Sequence, residues 1–162
     1  MSNEFPVLDE IELVAKHEET LGRLYDTYSS IFPEHREFWV GIADEENGHA
    51  AWVRGFKSRC MEGSCTVKEG RFRVKAIESS MNFMNRQMQA ALNGSVNILM
   101  AAATASDIEH ALLDKNFFEV YKTDDEDLKK TLDFLRIETE KHARKVADFL
   151  AMVSEPGPTA IG

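Results

Sequence analysis

In Ile42-Ala43-Asp44-Glu45-Glu46-Asn47-Gly48-His49-Ala50, a carboxylate and an imidazole stand three residues apart, at Glu46 and His49. On an α-helix this spacing leaves the two side chains about 60° apart on one face, so both can reach a single ion. The pair alone is a weak signal, because Glu-x-x-His recurs by chance on charged surface helices. Here it belongs to an apolar stripe with helical spacing, which predicts that both side chains are buried. The stripe consists of Phe38, Ile42, Glu46, His49, Val53 and Phe56.

The composition is that of an ordinary globular protein. The 162 residues, 43% hydrophobic and 29% charged, suffice for one domain with a sizeable core. A net charge of -9 argues against nucleic acid or an anionic membrane as partner, since both would be repelled. No apolar run approaches the roughly 20 residues that span a bilayer, and the first residues lack the pattern of a signal peptide. We expect a cytoplasmic protein with a single domain over residues 1–153 and a flexible tail over residues 154–162.

Cys60 and Cys65 are the only cysteines in the sequence. A cytosolic chain normally keeps its thiols reduced, and the paired C-x-x-C elements of a zinc ribbon are absent. We interpret the two thiols as incidental residues near a helix end, with a redox-active disulfide as the alternative.

The periodicity of apolar residues predicts four long helices and one amphipathic helix that connects the second to the third. The first helix begins at Pro6 or Asp9 and ends before Pro33, because the residue before a proline is pushed out of the helical region. The second helix begins at that proline and continues to about Lys57 or Cys60.

The second half of the chain repeats this pattern after a crossover. A small and polar segment predicts a loop at Met61–Arg71, and the connecting helix follows at Val74–Ala91, with methionines that we interpret as adaptable core. The third long helix is predicted at Val96–Tyr121 with Ser95 as its N-cap. Asp124 is the predicted N-cap of the fourth, which extends to the tail.

Charged residues interrupt the stripes of the first and third long helices. Glu18 falls among the apolar positions of the first helix, where Glu19 is its local competitor. The alternative is that Glu18 lies at the rim and pairs with a nearby Arg or Lys. Glu109 takes the equivalent place in the third helix.

The two halves of the chain match in the positions of these residues. Glu18 precedes His49 by 31 residues, and Glu109 precedes His142, in the stripe of the fourth helix, by 33. Of the five histidines, only His49 and His142 fall in the predicted buried stripes. The pattern predicts an all-α four-helix bundle, built from two helical hairpins with a long crossover that contains an extra helix. In such bundles, two ions are held by one Glu from each of two helices and a Glu-x-x-His from each of the others.

These residues resemble the rubrerythrin-like branch of the ferritin-like superfamily over roughly Glu10 to Ala151. The resemblance implies a non-haem di-iron site, and in catalytic members it implies the reduction of hydrogen peroxide or dioxygen. A rubredoxin-type module is missing, so electrons would come from an external donor, and the resemblance further implies a homodimer. It is carried by Glu18 seven residues before Tyr25, by the segment Ile42 to Ala50, by Glu109, and by Glu138-Thr139-Glu140-Lys141-His142-Ala143-Arg144.

The fourth helix departs from the family pattern. Thr139 stands where the resemblance places a carboxylate, and Glu138 is the nearest substitute, about 40° from His142 on the helix. Either Glu138 completes the set, or the second ion binds weakly, or one ion binds alone. Iron is the expected metal, as two ions or as one, with another first-row divalent ion as the alternative. The candidate ligands are Glu18, Glu46, His49, Glu109, Glu138 and His142.

Two other functions remain open for the same pattern. One is iron storage or metal sequestration without turnover. The other is a structural bundle whose metal site has partly decayed.

Overall fold

The computed structural model describes residues 4–62, 65–67, 71–114, 121–123 and 126–155. Five α-helices account for most of these residues, so the all-α prediction is confirmed. Together they form a helical bundle in which α1 packs against α2 and α3, and α5 packs against α4 and α2. The helices are α1 (Glu4–Ile31), α2 (Arg36–Met61), α3 (Arg71–Leu92), α4 (Ile98–Asp114) and α5 (Glu126–Ser154).

The first two helices form an antiparallel hairpin. A single 3-10 turn at Pro33–His35 connects them, so the proline predicted as the first residue of α2 begins this turn instead, and α2 begins at Arg36. Near this turn the rings of Tyr28 and Trp39 meet edge to face, with centroids 4.9 Å apart. At the opposite end Lys57 Nζ lies 3.1 Å from a carboxylate oxygen of Glu12. The contacts at both ends establish that the two helices run in opposite directions along their whole length.

The main core lies at the end of the bundle near this turn. Phe149 of α5 stacks on Phe38 of α2 at 4.0 Å between ring centroids, and Trp39 packs against the same ring. Burial of these aromatic side chains removes a large apolar area from water and holds α5 against α2. Within the described residues, no helix is long and apolar enough to cross a membrane.

Glycine and asparagine define the break between α3 and α4. Gly94 adopts φ 77°, and its N–H donates to the carbonyl of Ala91, while the N–H of Ser95 donates to that of Ala90. This left-handed residue closes α3, because glycine adopts a positive φ without steric cost. The prediction of Ser95 as the N-cap is wrong: Asn97 Oδ1 accepts from the N–H of Met100, and its side chain caps α4.

The prediction that α4 continues to Tyr121 is also wrong. The described part of α4 is Ile98–Asp114, and Tyr121 belongs to a short strand, Tyr121–Thr123, that pairs antiparallel with Cys65–Val67, in the segment predicted as a loop. Strands of three residues are too short to show a periodic pattern in the sequence. Their pairing also joins two segments that are far apart along the chain.

Several boundaries differ from the prediction by a few residues. The first helix already includes Glu4, ahead of the predicted start, and the last helix ends at Ser154, one residue into the predicted tail. The rest of the tail beyond Glu155, the cap at Asp124, and the Cys60 and Cys65 side chains lie outside the described residues.

Candidate metal centre

Four helices bring five polar side chains to one buried place in the bundle. α1 contributes Glu18, α2 contributes Glu46 and His49, α4 contributes Glu109, and α5 contributes His142. Each of these residues is at most 6% exposed, so the predicted burial of the interrupted stripes is confirmed. The helices form because the surrounding stripe positions are apolar, and the same periodicity carries the polar groups inside.

Glu46 lies at the centre of this group. Its Oε2 is 3.2 Å from Nδ1 of His49, and its Oε1 is 2.7 Å from Nδ1 of His142. The two imidazole rings stack with centroids 4.8 Å apart and an angle of 26° between their planes. One carboxylate therefore joins two parallel imidazoles from facing helices, with the same ring nitrogen of each directed inwards.

Glu18 and Glu109 flank this carboxylate. Both make side-chain hydrogen bonds to Glu46. Burial raises the pKa of both carboxyl groups well above the usual range, and the charge of Glu46 raises them further. Tyr25 anchors Glu109 by donating its hydroxyl proton to Oε1 at 2.7 Å. The raised pKa favours the protonated form of both flanking carboxyl groups, and in that form they donate hydrogen bonds to Glu46.

The pKa values of Glu46 and His49 are shifted in opposite directions. Burial raises the pKa of Glu46 to about 7, although hydrogen bonds from Glu18 and Glu109 partly offset the effect. Burial lowers the pKa of His49, because a cationic imidazole loses its hydration in the interior. Both shifts favour the neutral side chain, so a cation would displace the proton of the carboxyl group and bind the free lone pair of the neutral imidazole.

Beside the site, α1 and α2 lie close together at Gly22. A Cβ on Gly22 of α1 would lie 3.0 Å from Oδ1 of Asn47, the residue after Glu46. Any larger residue at this glycine would have to displace the side chain next to the central carboxylate. Gly22 thus allows the first helix to lie close to the second beside the site.

The apolar stripe correctly predicts that Glu18, and not Glu19, is the buried residue. Glu19 is partly exposed and forms an ion pair with Arg54, which lowers the pKa of Glu19. The alternative of a rim position paired with a basic residue therefore applies to Glu19, whereas Glu18 is 4% exposed and lies among the inward groups.

Thr139 and Glu138 do not join the central group. The Thr139 hydroxyl donates to the carbonyl of Leu135 at 2.9 Å, on its own helix. The Glu138 carboxylate pairs with Lys141 at 2.7 Å, and its other oxygen lies 4.0 Å from Nε2 of His49, the outer ring nitrogen. The structure therefore places Glu138 on the outside of an imidazole, not beside Glu46.

Sequence reasoning missed Glu45 as part of the site. Its Oε2 lies 2.5 Å from Nε2 of His142, and Lys145 contacts both of its oxygens. Glu45 lies about 100° from Glu46 around the helix, at the edge of the apolar stripe, but only about 40° from His49. This spacing of four residues, the same as between Glu138 and His142, is the signal that could have found it.

One expectation about the histidines is wrong. His17 is 1% exposed and its Nε2 lies 2.8 Å from Oγ of Ser80. It was missed because α3 covers a second side of α1, so this helix is buried on two faces while the sequence pattern was interpreted as a single stripe.

The central donor set is suited to a metal ion. Within the part of the chain that the structure describes, ligand atoms of Glu46, His49 and His142 lie within 4.8 Å of one another. Imidazole and carboxylate are the ligands that first-row divalent ions such as iron and zinc accept in proteins. The three buried residues could therefore hold one ion, with Glu18 and Glu109 beside them.

Comparisons with protein-family models, with curated proteins and with solved structures find no match to this chain. The class that the fold and the site define is accordingly an all-α helical bundle with a buried Glu/His group able to bind a metal ion.

Proposed function

We propose that this chain is a non-haem iron protein with a ferritin-like bundle of rubrerythrin type, which reduces hydrogen peroxide or dioxygen with electrons from an external donor. The observation that most supports the proposal is Glu46, whose two oxygens each face the Nδ1 of a buried histidine. A purely structural role explains this arrangement poorly, because burying carboxyl groups and imidazoles costs free energy that apolar residues would not.

Five side chains would hold the iron. The proposed ligands are Glu18, Glu46, His49, Glu109 and His142, with the two imidazoles bound through Nδ1. When bound, iron supplies the one-electron redox chemistry that these side chains lack. Three carboxylates and two neutral imidazoles offset most of the charge of two ferrous ions and more than that of one. The proposed assembly is a homodimer, as in the family that the sequence resembles.

The chain's own residues prepare the site for this role. The Tyr25 hydroxyl fixes the orientation of Glu109 by donating to its Oε1. The packed helices exclude bulk water from the central carboxylate, which is 1% exposed. Protons held on Glu18 and Glu109 are released when a cation takes their place, so metal affinity should rise with pH.

A second candidate function is metal sequestration without turnover. It is favoured by Thr139, whose hydroxyl bonds to the backbone of its own helix and leaves the site one carboxylate short of the family pattern. A site with fewer carboxylates compensates the second ion less well, so a single retained ion would be its expected state.

Metal analysis of the full chain purified without oxygen tests the proposal. We expect at least one iron per chain. Peroxide should oxidise the ferrous protein, and a reductant should restore the ferrous form, with both changes followed by absorbance. His142→Ala should abolish the cycle, whereas His110→Ala, at an exposed histidine next to Glu109, should leave it unchanged. Iron that binds without cycling would favour sequestration, and no metal above background would refute both functions.

A further inference from the structure

Each imidazole of the metal centre also has an outer nitrogen, Nε2, that faces a second carboxylate. Nε2 of His142 lies 2.5 Å from Oε2 of Glu45, and Nε2 of His49 lies 4.0 Å from Oε2 of Glu138. Glu45 lies four residues before His49 on α2, and Glu138 lies four residues before His142 on α5. Each outer carboxylate therefore faces the imidazole of the opposite helix, in two matching halves.

We infer that Glu45 is a positioning residue, which holds His142 with Nδ1 directed at the ion, and that Glu138 takes the equivalent but looser place outside His49, 4.0 Å from its Nε2, and is not a ligand. The inference rests on the proposed metal-binding function and specifies how that site is oriented. It gives a role to Glu45, which the sequence pattern missed, and a different role to Glu138 from the one the sequence predicts.

The chemistry of imidazole explains why the outer contact matters. A neutral imidazole carries one N–H and one lone pair, and the hydrogen bond of one nitrogen sets which nitrogen is free to bind a metal. When Nε2–H of His142 donates to Glu45, the lone pair of Nδ1 points towards Glu46 and the ion site. The outer carboxylate also increases the basicity of the ligating nitrogen.

Two lysines fix the outer carboxylates in place. Lys145 lies 2.6 and 2.9 Å from the two oxygens of Glu45, across the interface between α2 and α5. Lys141 lies 2.7 Å from one oxygen of Glu138, one turn further along α5. Each lysine favours the ionised carboxylate, which is the stronger acceptor for an imidazole N–H.

The two halves differ in how firmly the imidazole is held. Glu45 is at hydrogen-bond distance from His142, whereas the 4.0 Å between Glu138 and His49 is too long for a hydrogen bond. His142 should therefore be the better oriented of the two ligands. A Glu138 that ligated the ion would have to approach Nδ1 of His49, and its carboxylate instead faces Nε2 and Lys141.

The test uses Zn²⁺ as the probe and the full chain. Zn²⁺ affinity is measured by competition with a chelator, and the histidine tautomers of the metal-free chain are read from ¹⁵N chemical shifts. Glu45→Ala should weaken Zn²⁺ binding by about 10–100-fold and shift His142 away from a single tautomer. Glu45→Gln keeps an acceptor oxygen and should restore most of the affinity. Asp44→Asn removes the same charge one residue away and should leave both measurements near those of the parent chain.

Glu138 is tested in the same way against Glu140, a partly exposed carboxylate two residues along α5. Glu138→Gln should leave the number of Zn²⁺ ions per chain unchanged and reduce affinity less than Glu45→Ala does, and Glu140→Gln should have no effect. A Glu138→Gln chain that loses an ion would overturn the positioning role, as would a Glu45→Ala chain with parental affinity and an unchanged His142 tautomer.

The outcomes separate this inference from the proposed function. A parent chain that binds Zn²⁺ with the expected dependence on Glu45, yet shows no peroxide cycle with iron, would refute the redox function and support the positioning role. A parent chain that binds no Zn²⁺ would overturn both.

Discussion

The metal-free protein should lose stability as the pH rises from about 6.5 to about 8.5. Glu18, Glu46 and Glu109 have folded-state pKa values above the ordinary 4.5 of the unfolded chain. A carboxyl group with a raised folded pKa contributes stability that is fully present below the unfolded pKa and is lost as the pH rises through the folded pKa. The expected sign is therefore a fall in the free energy of unfolding.

The structure sets the size of this fall. With a folded pKa of about 7, Glu46 loses roughly 1 kcal/mol between these two pH values. Burial and the charge of Glu46 also raise the pKa of Glu18 and Glu109, and each adds a fall of at most about 1.4 kcal/mol per pH unit while its folded form stays protonated. His49 acts in the opposite direction, because burial lowers its pKa and this costs stability at low pH, but the stability regained above pH 6.5 is at most about 0.4 kcal/mol.

Urea denaturation followed by circular dichroism measures the fall, with neighbouring carboxylates as a matched pair. Glu18→Gln should reduce the slope, because it removes one of the titrating groups. Glu19→Gln should keep the slope, because Arg54 lowers the pKa of Glu19 and its carboxylate is ionised throughout the range. A free energy of unfolding that stays flat or rises with pH in the parent chain would refute the picture of three carboxyl groups sharing one dry site.

Three substitutions test other contacts of the site. His49→Ala should lower bound metal by more than half in metal analysis while circular dichroism shows unchanged helical content, and undiminished metal would remove this residue from the ligand set. Tyr25→Phe should cost about 1–2 kcal/mol in urea denaturation of the metal-free chain, because Glu109 loses its buried donor; equal stability would mean that the 2.7 Å contact contributes nothing. Thr139→Glu should raise iron towards two per chain by supplying a carboxylate three residues before His142, and a stable variant with no additional iron would contradict the weakened-site interpretation.

The apolar periodicity was sufficient to predict the five helices and, for the four that carry the candidate site, the face that holds the polar groups. Glu18, Glu46, Glu109 and His142 could be recognised because they interrupt otherwise apolar stripes, and a helix repeats its direction every three or four residues. This information is local to each helix. It predicts burial correctly because a polar group on the apolar face of a helix is buried together with its apolar neighbours.

Features that join separate segments were not predictable in the same way. The cap of α4 is Asn97 and not Ser95, because the left-handed turn at Gly94 ends two residues before the new helix begins. The burial of His17 follows from α3 packing on a second side of α1. Each depends on how one element meets another, and the stripe pattern of a single helix does not contain that information.

The tertiary structure alone decided which atoms meet. Periodicity places Glu138 about 40° and Thr139 about 60° from His142, on opposite sides of it, but contacts across the bundle depend on the axial shift between helices and on side-chain rotamers. With the observed shift, Glu45 reaches Nε2 of His142 while Glu138 stays 4.0 Å from Nε2 of His49. Neighbouring residues on a helix differ by only about 1.5 Å along its axis, so an axial shift of that size between two helices is enough to change which of two neighbouring carboxylates faces a given nitrogen.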